Sequence, residues 1–430
     1  MIERIINIEM KNFKHPKTSR QEALRLILDR SRFQSRVEIL PVREALGRVT
    51  AQEVLAVNTL PNSPVSRMDG IAIKFANLSG ELSNSCNWRY GADYVFCNTG
   101  VGIPGDFDTV ILIEDVEIDE TGELRILSIP QAGQYIRPAG EIMRAGDVLV
   151  PEYSCLSPLH LGLLSTGGAD EIPVLSKPRV AVLPTGNELV PVGSKPPRGK
   201  TVESNGIMME AQIKIMGGEP HLYPIIRDDP NELVKALRDA LAWADMVILN
   251  GGSSKGTDDR ALEVLETVGE ILVYEMNSGP GKHTTLTIAG SKPIVGTVGP
   301  TIGAVYAMEW FVRPLICKYL FQPMIEPERL KVKLLDDIPA AMEFAWLEVR
   351  QINGFYAAKQ IGRLAPLSRQ LQSNATLIMS KESKGYKAGE IAEVELRCAD
   401  LAALNSPLAK AGVLERISQR IKPDRLSQSF

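Results

Sequence analysis

Three short turns in the middle of the chain combine glycine with residues that can hold an anion. They are Thr185-Gly186-Asn187-Glu188, the stretch 250–259 reading NGGSSKGTDD, and Gly279-Pro280-Gly281-Lys282. Glycine lets backbone approach a ligand closely, and the free N–H groups of turns and helix starts favour negative charge. Lys255 and Lys282 add point charges suited to phosphate. Glu188, Asp258 and Asp259 supply oxygens for Mg²⁺ or a hydroxyl-rich ring. Any one of these turns reads equally well as a solvated loop. Three of them on successive units of one sheet point to an anion-binding edge.

Other candidate motifs fare worse. Gly100-Val101-Gly102-Ile103-Pro104-Gly105 satisfies GxGxxG, but a β pattern follows at 108–116, so no helix start awaits a pyrophosphate. Ser253-Ser254-Lys255-Gly256 lacks Walker spacing. Asp69 in Ser66-Arg67-Met68-Asp69-Gly70 reads by itself as a tight turn. Arg137 and Arg144, flanking Ala139-Gly140-Glu141, fit a solvated face or an anion contact equally well. Cys86, Cys97, Cys155, Cys317 and Cys398 are odd in number and form no CxxC, which excludes a disulfide framework and a zinc ribbon. The four histidines, His15, His160, His221 and His283, make no HExxH helix.

The elements that must position the three turns follow from pattern. From 178 onward, buried-strand runs alternate with helical stripes: strand 180–183, a helix capped by Ser204 or Asn205, strand 221–226, a helix starting Asp229-Pro230-Asn231-Glu232, strand 246–249, helix 260–268, strand 270–275 and a long helix 301–320. Met208, Ala211 and Ile215 are the expected core face of the first helix; Leu233, Leu237, Leu241 and Ala244 are that of the second. Such alternation predicts a mainly parallel sheet covered on both faces. Ligands then bind beyond the carboxyl ends of the strands, where the three turns fall. Before residue 58 the pattern is helical, at 20–30 and 41–49. From 60 to 137 short β runs dominate, and 141–170 returns to the earlier style. The β unit is therefore an insertion. Five short alternating runs at 330–335, 344–349, 355–360, 375–379 and 391–396 predict a small β-barrel or sandwich, and 401–430 one amphipathic helix.

The 430 residues imply about three domains. A net charge of −4 leaves no basic excess for nucleic acid. The N-terminal twenty residues contain no uncharged signal-peptide core. The longest uncharged stretches, 153–169 and 293–308, are broken by Gly and Pro and are too short to span a membrane. A soluble cytoplasmic protein is the expectation.

Taken in order, LPVREALGRVTAQEV, NTLPNSPVSRMDGIAI, NTGVGIPGDFDTVILIEDVE, IRPAGEIMRAGDVLV, VAVLPTGNELV, ESNGIMMEAQI, MVILNGGSSKGTDD and GPGKHTTL resemble the molybdopterin molybdenumtransferases. These form the MoeA group, which includes the gephyrin E-domain. The resemblance runs from about 38 to 396. It implies an α/β multidomain protein: a discontinuous N-terminal helical and extended domain (1–57 and 138–176), an inserted β domain (58–137), a three-layer molybdopterin-binding α/β domain (177–323), a C-terminal small β-barrel (324–400) and an extension (401–430). It also implies a homodimer whose cleft lies between the α/β domain of one subunit and the inserted domain of the other. Adenylylated molybdopterin and molybdate would be substrates, Mg²⁺ a cofactor and AMP a product. Molybdopterin adenylyltransferase and recipient molybdoenzymes are the implied protein partners.

Residue by residue, the resemblance carries catalytic and metal-holding roles to Asp69, Glu188 and Asp259. Binding roles fall on Thr99, Thr185, Gly186, Ser204, Asn205, Gly251, Gly252, Ser254, Lys255, Gly256, Pro280, Gly281 and Lys282. The chain departs from the family where GED becomes Gly140-Glu141-Ile142, where LPGNP becomes 296–301 (GTVGPT), and where PGKP becomes PGKH. A diverged, non-catalytic molybdopterin carrier is the alternative those departures keep open. A pterin-adenylating enzyme would share the α/β domain type but not the two β modules.

Overall fold

The computed structural model describes residues 17–78, 87–120, 123–251, 260–277, 279, 281–324, 326–340, 342–352, 354–362, 364–379 and 383–397. They form two compact units: 36–176, and the described residues on either side of that segment taken together. Helix α1 (Arg20–Arg30) opens the chain order, its first turn capped by Ser19 Oγ, which accepts from the Glu22 N–H at 3.1 Å.

In the 36–176 unit, strands from opposite ends of the segment meet. β1 (Val37–Pro41) and the later β11 (Glu171–Leu175) run antiparallel, and β2 (Val54–Leu55) pairs with β10 (Val148–Val150). Helix α2 (Pro158–Thr166) completes a core that includes Val42, Ala45, Leu156, Leu164, Ile172 and Val174. The helix expected at 41–49 is only a 3-10 turn, Val42–Glu44. Its N–H groups are claimed from afar: Val42 N–H by Asp170 O and Gly47 N–H by Leu156 O, both at 2.8 Å. Long-range pairing overrides the local helical pattern here.

Short antiparallel β pairs fill 65–137 within this unit. β3 (Val65–Ser66) pairs with β9 (Ile136–Arg137), and β4 (Gly70–Ile73) lies between β5 (Tyr94–Cys97) and β6 (Thr109–Leu112). β7 (Val116–Ile118) and β8 (Leu124–Ile126) form a hairpin. Every residue of β4 is buried because its two faces feed separate cores. Ile71 and Ile73 pack with Tyr94, Ile111 and Leu124, while Ala72 packs with Cys97, Phe107 and Val110.

In the other unit, a six-stranded sheet has the order β15-β12-β16-β19-β18-β17. β12 (Arg179–Pro184) is flanked in parallel by β15 (Glu219–Leu222) and β16 (Met246–Asn250), and β19 (Lys292–Thr297) continues the parallel set. β18 (Thr285–Ala289) is antiparallel to both β19 and β17 (Glu270–Val273). A small parallel pair, β13 (Leu189–Val190) and β14 (Thr201–Val202), stands outside the sheet. The β18–β19 hairpin, absent from the sequence expectation, turns on Gly290-Ser291 with Gly290 at φ +64°.

Helices α3 (Asn205–Ile215), α4 (Pro230–Trp243) and α5 (Arg260–Val268) link the strands. α3 buries Gly206, Met209 and Ile213. The expected face is therefore wrong: Ala211 is exposed and Ile215 is 74% exposed. Two adjacent apolar stripes compete, and the sheet takes the one that places Gly206 against Leu222. α4 behaves as its sequence predicts. Asp229 caps it, and Leu233, Leu237 and Ala240 are buried.

The long helix 301–320 runs as α6 (Thr301–Ala307), a π-helical turn Met308–Val312, and α7 (Arg313–Tyr319). Pro314 lacks an N–H, and its ring would crowd the carbonyl four residues back. A widened register just before it relieves that conflict.

β20 (Arg329–Leu334), β22 (Phe344–Ile352), β23 (Phe355–Ile361), β24 (Ala375–Ile378) and β26 (Ile391–Leu396) close a barrel. A minor pair, β21 (Ile338–Pro339) and β25 (Gly385–Tyr386), accompanies it. α1 packs against β17, β18 and α7, so it groups with this unit rather than with 36–57. Arg20 donates to both carboxylate oxygens of Glu395 at 2.7 and 2.9 Å, tying α1 to the barrel.

Candidate active site

Parallel strands deliver the first turn and the start of the second, Asn250-Gly251, to one edge. Register places Pro184 opposite Asn250, and Asn250 opposite Thr297, so the carboxyl ends of β12, β16 and β19 lie side by side. Thr185 donates its N–H to Asn250 O at 2.8 Å, and Gly251 N–H reaches Thr297 O at 3.1 Å. Gly251 has φ +108°, and a Cβ there would stand 2.4 Å from Thr185 O. Glycine is required by both torsion and space.

Asn250 is the hub. It is 4% exposed and donates from Nδ2 to Thr297 Oγ1 at 2.8 Å and Val298 O at 3.1 Å, while its Oδ1 accepts from Asn205 Nδ2 at 3.2 Å. Asn205 also donates to Gly299 O at 2.8 Å. The altered loop at 296–301 is thus wired directly into the strand ends. Asn205, expected as a cap, is the first helical residue, and Ser204 occupies the cap position without a side-chain bond. Glu203 does the capping: its Oε1 accepts from Gly206 N–H at 2.7 Å.

The TGNE turn is built beside this network. Gly186 is buried with φ +150°, and the Glu188 carboxylate folds over it. Asn187 N–H donates to Asp228 Oδ2 at 2.9 Å, and Lys200 Nζ donates to Asn187 O at 2.6 Å. A cleft of about 960 Å³ opens here, lined by Gly186, Asn187, Lys200, Glu203, Tyr223 and Arg227 among others. Its walls mix apolar surface with two cations, Lys200 and Arg227, and one carboxylate, Glu203, the usual make-up of a ligand pocket.

The third turn shares the edge but not the cleft. β17 runs in the same direction as β19, so 274–284 leaves the sheet at the carboxyl side. In sheet order, however, it lies three strands from β16, roughly 14 Å at ~4.8 Å per strand. Lys282 Nζ stands 4.0 Å from Glu343 Oε2 of the barrel, and Gly281 shapes that turn against Thr284. His283, where the family usually has Pro, sets Nδ1 3.3 Å from the buried Glu275. Gly252, Ser254, Lys255, Gly256, Asp259 and Pro280 lie outside the described residues.

In the 36–176 unit, two expected site residues meet. Asp69 Oδ1 accepts from Thr99 N–H at 2.7 Å and from Thr99 Oγ1 at 3.2 Å. Gly70 behind Asp69 cannot be replaced, because a Cβ there would lie 1.9 Å from Ile111 O. Cys97, on the neighbouring strand, has its thiol pushed up by burial, with a hydrogen bond to Ser66 opposing and Asp69 adding to the effect. The open reading of Arg137 resolves into ion pairing: Glu141 is bridged by Arg67 and by Arg137 Nε at 2.9 Å. Ile142 next to it is 55% exposed.

Sequence reasoning missed Glu203, Asp228, Asn250 and Thr297 as site builders. Asn250 closes a strand of four apolar residues, and such a polar residue needs buried partners. That is the signal that was available.

The described residues thus comprise an α/β unit with glycine turns at its carboxyl edge, a five-stranded β-barrel and a small β module within 36–176. Comparison agrees along the chain. Residues 18–168 match the family described as MoeA N-terminal region (domain I and II), and 181–318 match the probable molybdopterin binding domain. The chain is 27% identical over 391 residues to a molybdopterin molybdenumtransferase of Haemophilus influenzae, covering 86% of this chain and 96% of the relative. A Staphylococcus aureus molybdopterin molybdenumtransferase is 25% identical over 405 residues, with 89% and 96% covered. The crystal structure of a molybdopterin biosynthesis MoeA protein from Pyrococcus horikosii has the same fold, with TM-score 0.76, 23% identity and 88% and 99% covered. The chain belongs to the MoeA family.

Proposed function

We propose that this chain is a molybdopterin molybdenumtransferase of molybdenum cofactor biosynthesis, inserting molybdate into adenylylated molybdopterin with release of AMP. The cleft at the carboxyl edge of the α/β sheet carries the reading. Its backbone turn at Gly186-Asn187, Lys200 and Arg227 would hold a phosphorylated pterin, and the Glu188 carboxylate lies against Gly186. Molybdate and the phosphoanhydride are both anionic, so bringing them together requires cations and N–H groups.

A Mg²⁺ ion shared with phosphate needs only one or two protein carboxylates, the rest of its shell being water and substrate oxygens. Glu188, exposed and folded over Gly186, fits that demand. Among the described residues no group of three or more His, Cys, Asp or Glu could form a closed cage. Glu188 would hold the ion, which would neutralise charge developing on the phosphate; the resemblance implies Asp259 beside it and an Asp69 supplied by the neighbouring subunit near the ion or the attacking oxygen. The remaining work falls to side chains. Asp69, fixed by two bonds from Thr99, would orient or deprotonate an attacking oxygen. Lys282 would neutralise an oxyanion at the far end of the edge. The active form would be a homodimer, and molybdopterin adenylyltransferase and recipient molybdoenzymes would be its partners.

A second reading, a non-catalytic carrier, is favoured by one observation. Ile142 puts exposed apolar surface where the family usually has a carboxylate. Incubating purified protein with adenylylated molybdopterin, Mg²⁺ and molybdate separates the two. AMP release with metal uptake supports the transferase; saturable pterin binding without release supports the carrier.

A further inference from the structure

Glu203 has no part in the chemistry above, yet it is the most enclosed charged side chain facing the cleft, at 6% exposed. It follows β14 and precedes α3. Oε1 caps Gly206 N–H at 2.7 Å. Oε2 lies 2.8 Å from where a Cβ on residue 206 would be, so only glycine lets the carboxylate tuck under the first turn. Among the described residues, no donor meets Oε2 and no Lys or Arg pairs with Glu203. Lys200 turns instead to Asn187 O. Oε2 is thus a mostly enclosed carboxylate oxygen with no cation beside it, reachable from the cleft and open to a donor that a ligand brings.

A second unmet acceptor lies two residues on. Val298 O can only accept, which fixes Asn250 with Nδ2 toward it and Oδ1 toward Asn205. Gly299 O likewise fixes Asn205 with Nδ2 inward. Neither amide can be reversed, and Asn205 Oδ1 is left buried without a donor. The start of α3 is therefore rich in acceptors, and of these the Glu203 carboxylate lines the cleft, while Asn205 Oδ1 is buried behind it. Phosphate and molybdate are anions, and like charge disfavours them beside this carboxylate.

We propose that Glu203 is a specificity-determining residue that reads the paired amino and ring N–H edge of an aminopyrimidinone, the ring system of a pterin, through Oε2. This rests on the cleft being the pterin site. The test titrates the full chain with 6-carboxypterin and with 6-carboxylumazine, which has oxygen in place of the 2-amino group. Ring fluorescence reports binding. Wild type should prefer the pterin by roughly ten- to hundred-fold, the range of one charge-assisted hydrogen bond pattern gained or lost. Glu203→Gln keeps an acceptor for Gly206 but turns an N–H toward the ligand, and the preference should fall to within about threefold. Should that variant fail to fold by circular dichroism, Glu203→Asp, one methylene shorter, takes its place with the same readout. Equal wild-type affinity for the two rings, or an unchanged ratio in the variant, overturns this inference and leaves the cleft assignment standing. Binding of neither ring by wild type removes both.

Discussion

At the scale of single residues, Asp69 and Thr99 show how a turn motif becomes a poised group. Thr99 satisfies one carboxylate oxygen twice, which fixes the side chain while leaving it exposed. Asp69→Asn keeps an acceptor for Thr99, so its fold should survive. AMP release should drop by at least about 100-fold if the carboxylate does acid–base work, while titrated pterin binding stays near wild type. Unchanged turnover in a stopped assay would end that role. Asn250 illustrates the opposite kind of residue, one that touches no substrate in this account but holds three backbone segments together. Its legibility was poor because a lone Asn after an apolar strand looks like the first residue of a loop. Its partners, Thr297 and Val298, come from a strand read only as an uncharged stretch.

Elements differ in how locally they are encoded. The start of α4 was readable because its signal is contained in four residues: Asp229 accepts from Asn231 and Glu232 at 2.9 and 3.0 Å, and Pro230 needs no N–H. Asp229→Ala should cost about 1 kcal/mol, seen as a lower urea midpoint for the α/β unit. The β16 turn is encoded by sterics instead. Gly251→Ala forces a side chain into φ +108° and against Thr185 O, so a loss above ~2 kcal/mol is expected. A soluble variant with wild-type unfolding would show that the turn relaxes freely. α3 was misread for a clear reason. Met208, Ala211 and Ile215 and the neighbouring Met209 and Ile213 are both apolar stripes, and periodicity cannot rank adjacent stripes when the helix is apolar on both.

For the molecule as a whole, the chain divides into 36–176 and the described residues on either side of it, and that grouping is decided by packing. α1 joins the barrel and sheet through Arg20–Glu395 and through Arg20 lying 4.9 Å over the Trp310 ring. Nothing in the helical stripe of 20–30 names those partners. The proposed homodimer belongs to this scale too. Light scattering should return a mass near twice 47.1 kDa at micromolar concentration, and a monomer mass with full activity would rule out a shared active cleft.

By itself the amino-acid order determined what is local: the caps, the alternation of the five barrel strands, the buried runs of β12 and β16, and the ordered motifs that mark the family. Those signals survive because each arises within one or two turns of chain. The tertiary structure alone decided which apolar stripe of α3 faces inward, that 285–297 completes the sheet, that Glu203 caps α3, and that Asn205 Oδ1 ends buried without a donor. Such outcomes depend on carbonyls and side chains brought together from distant positions, where the free energy of burying one polar group is set by partners that no local window contains.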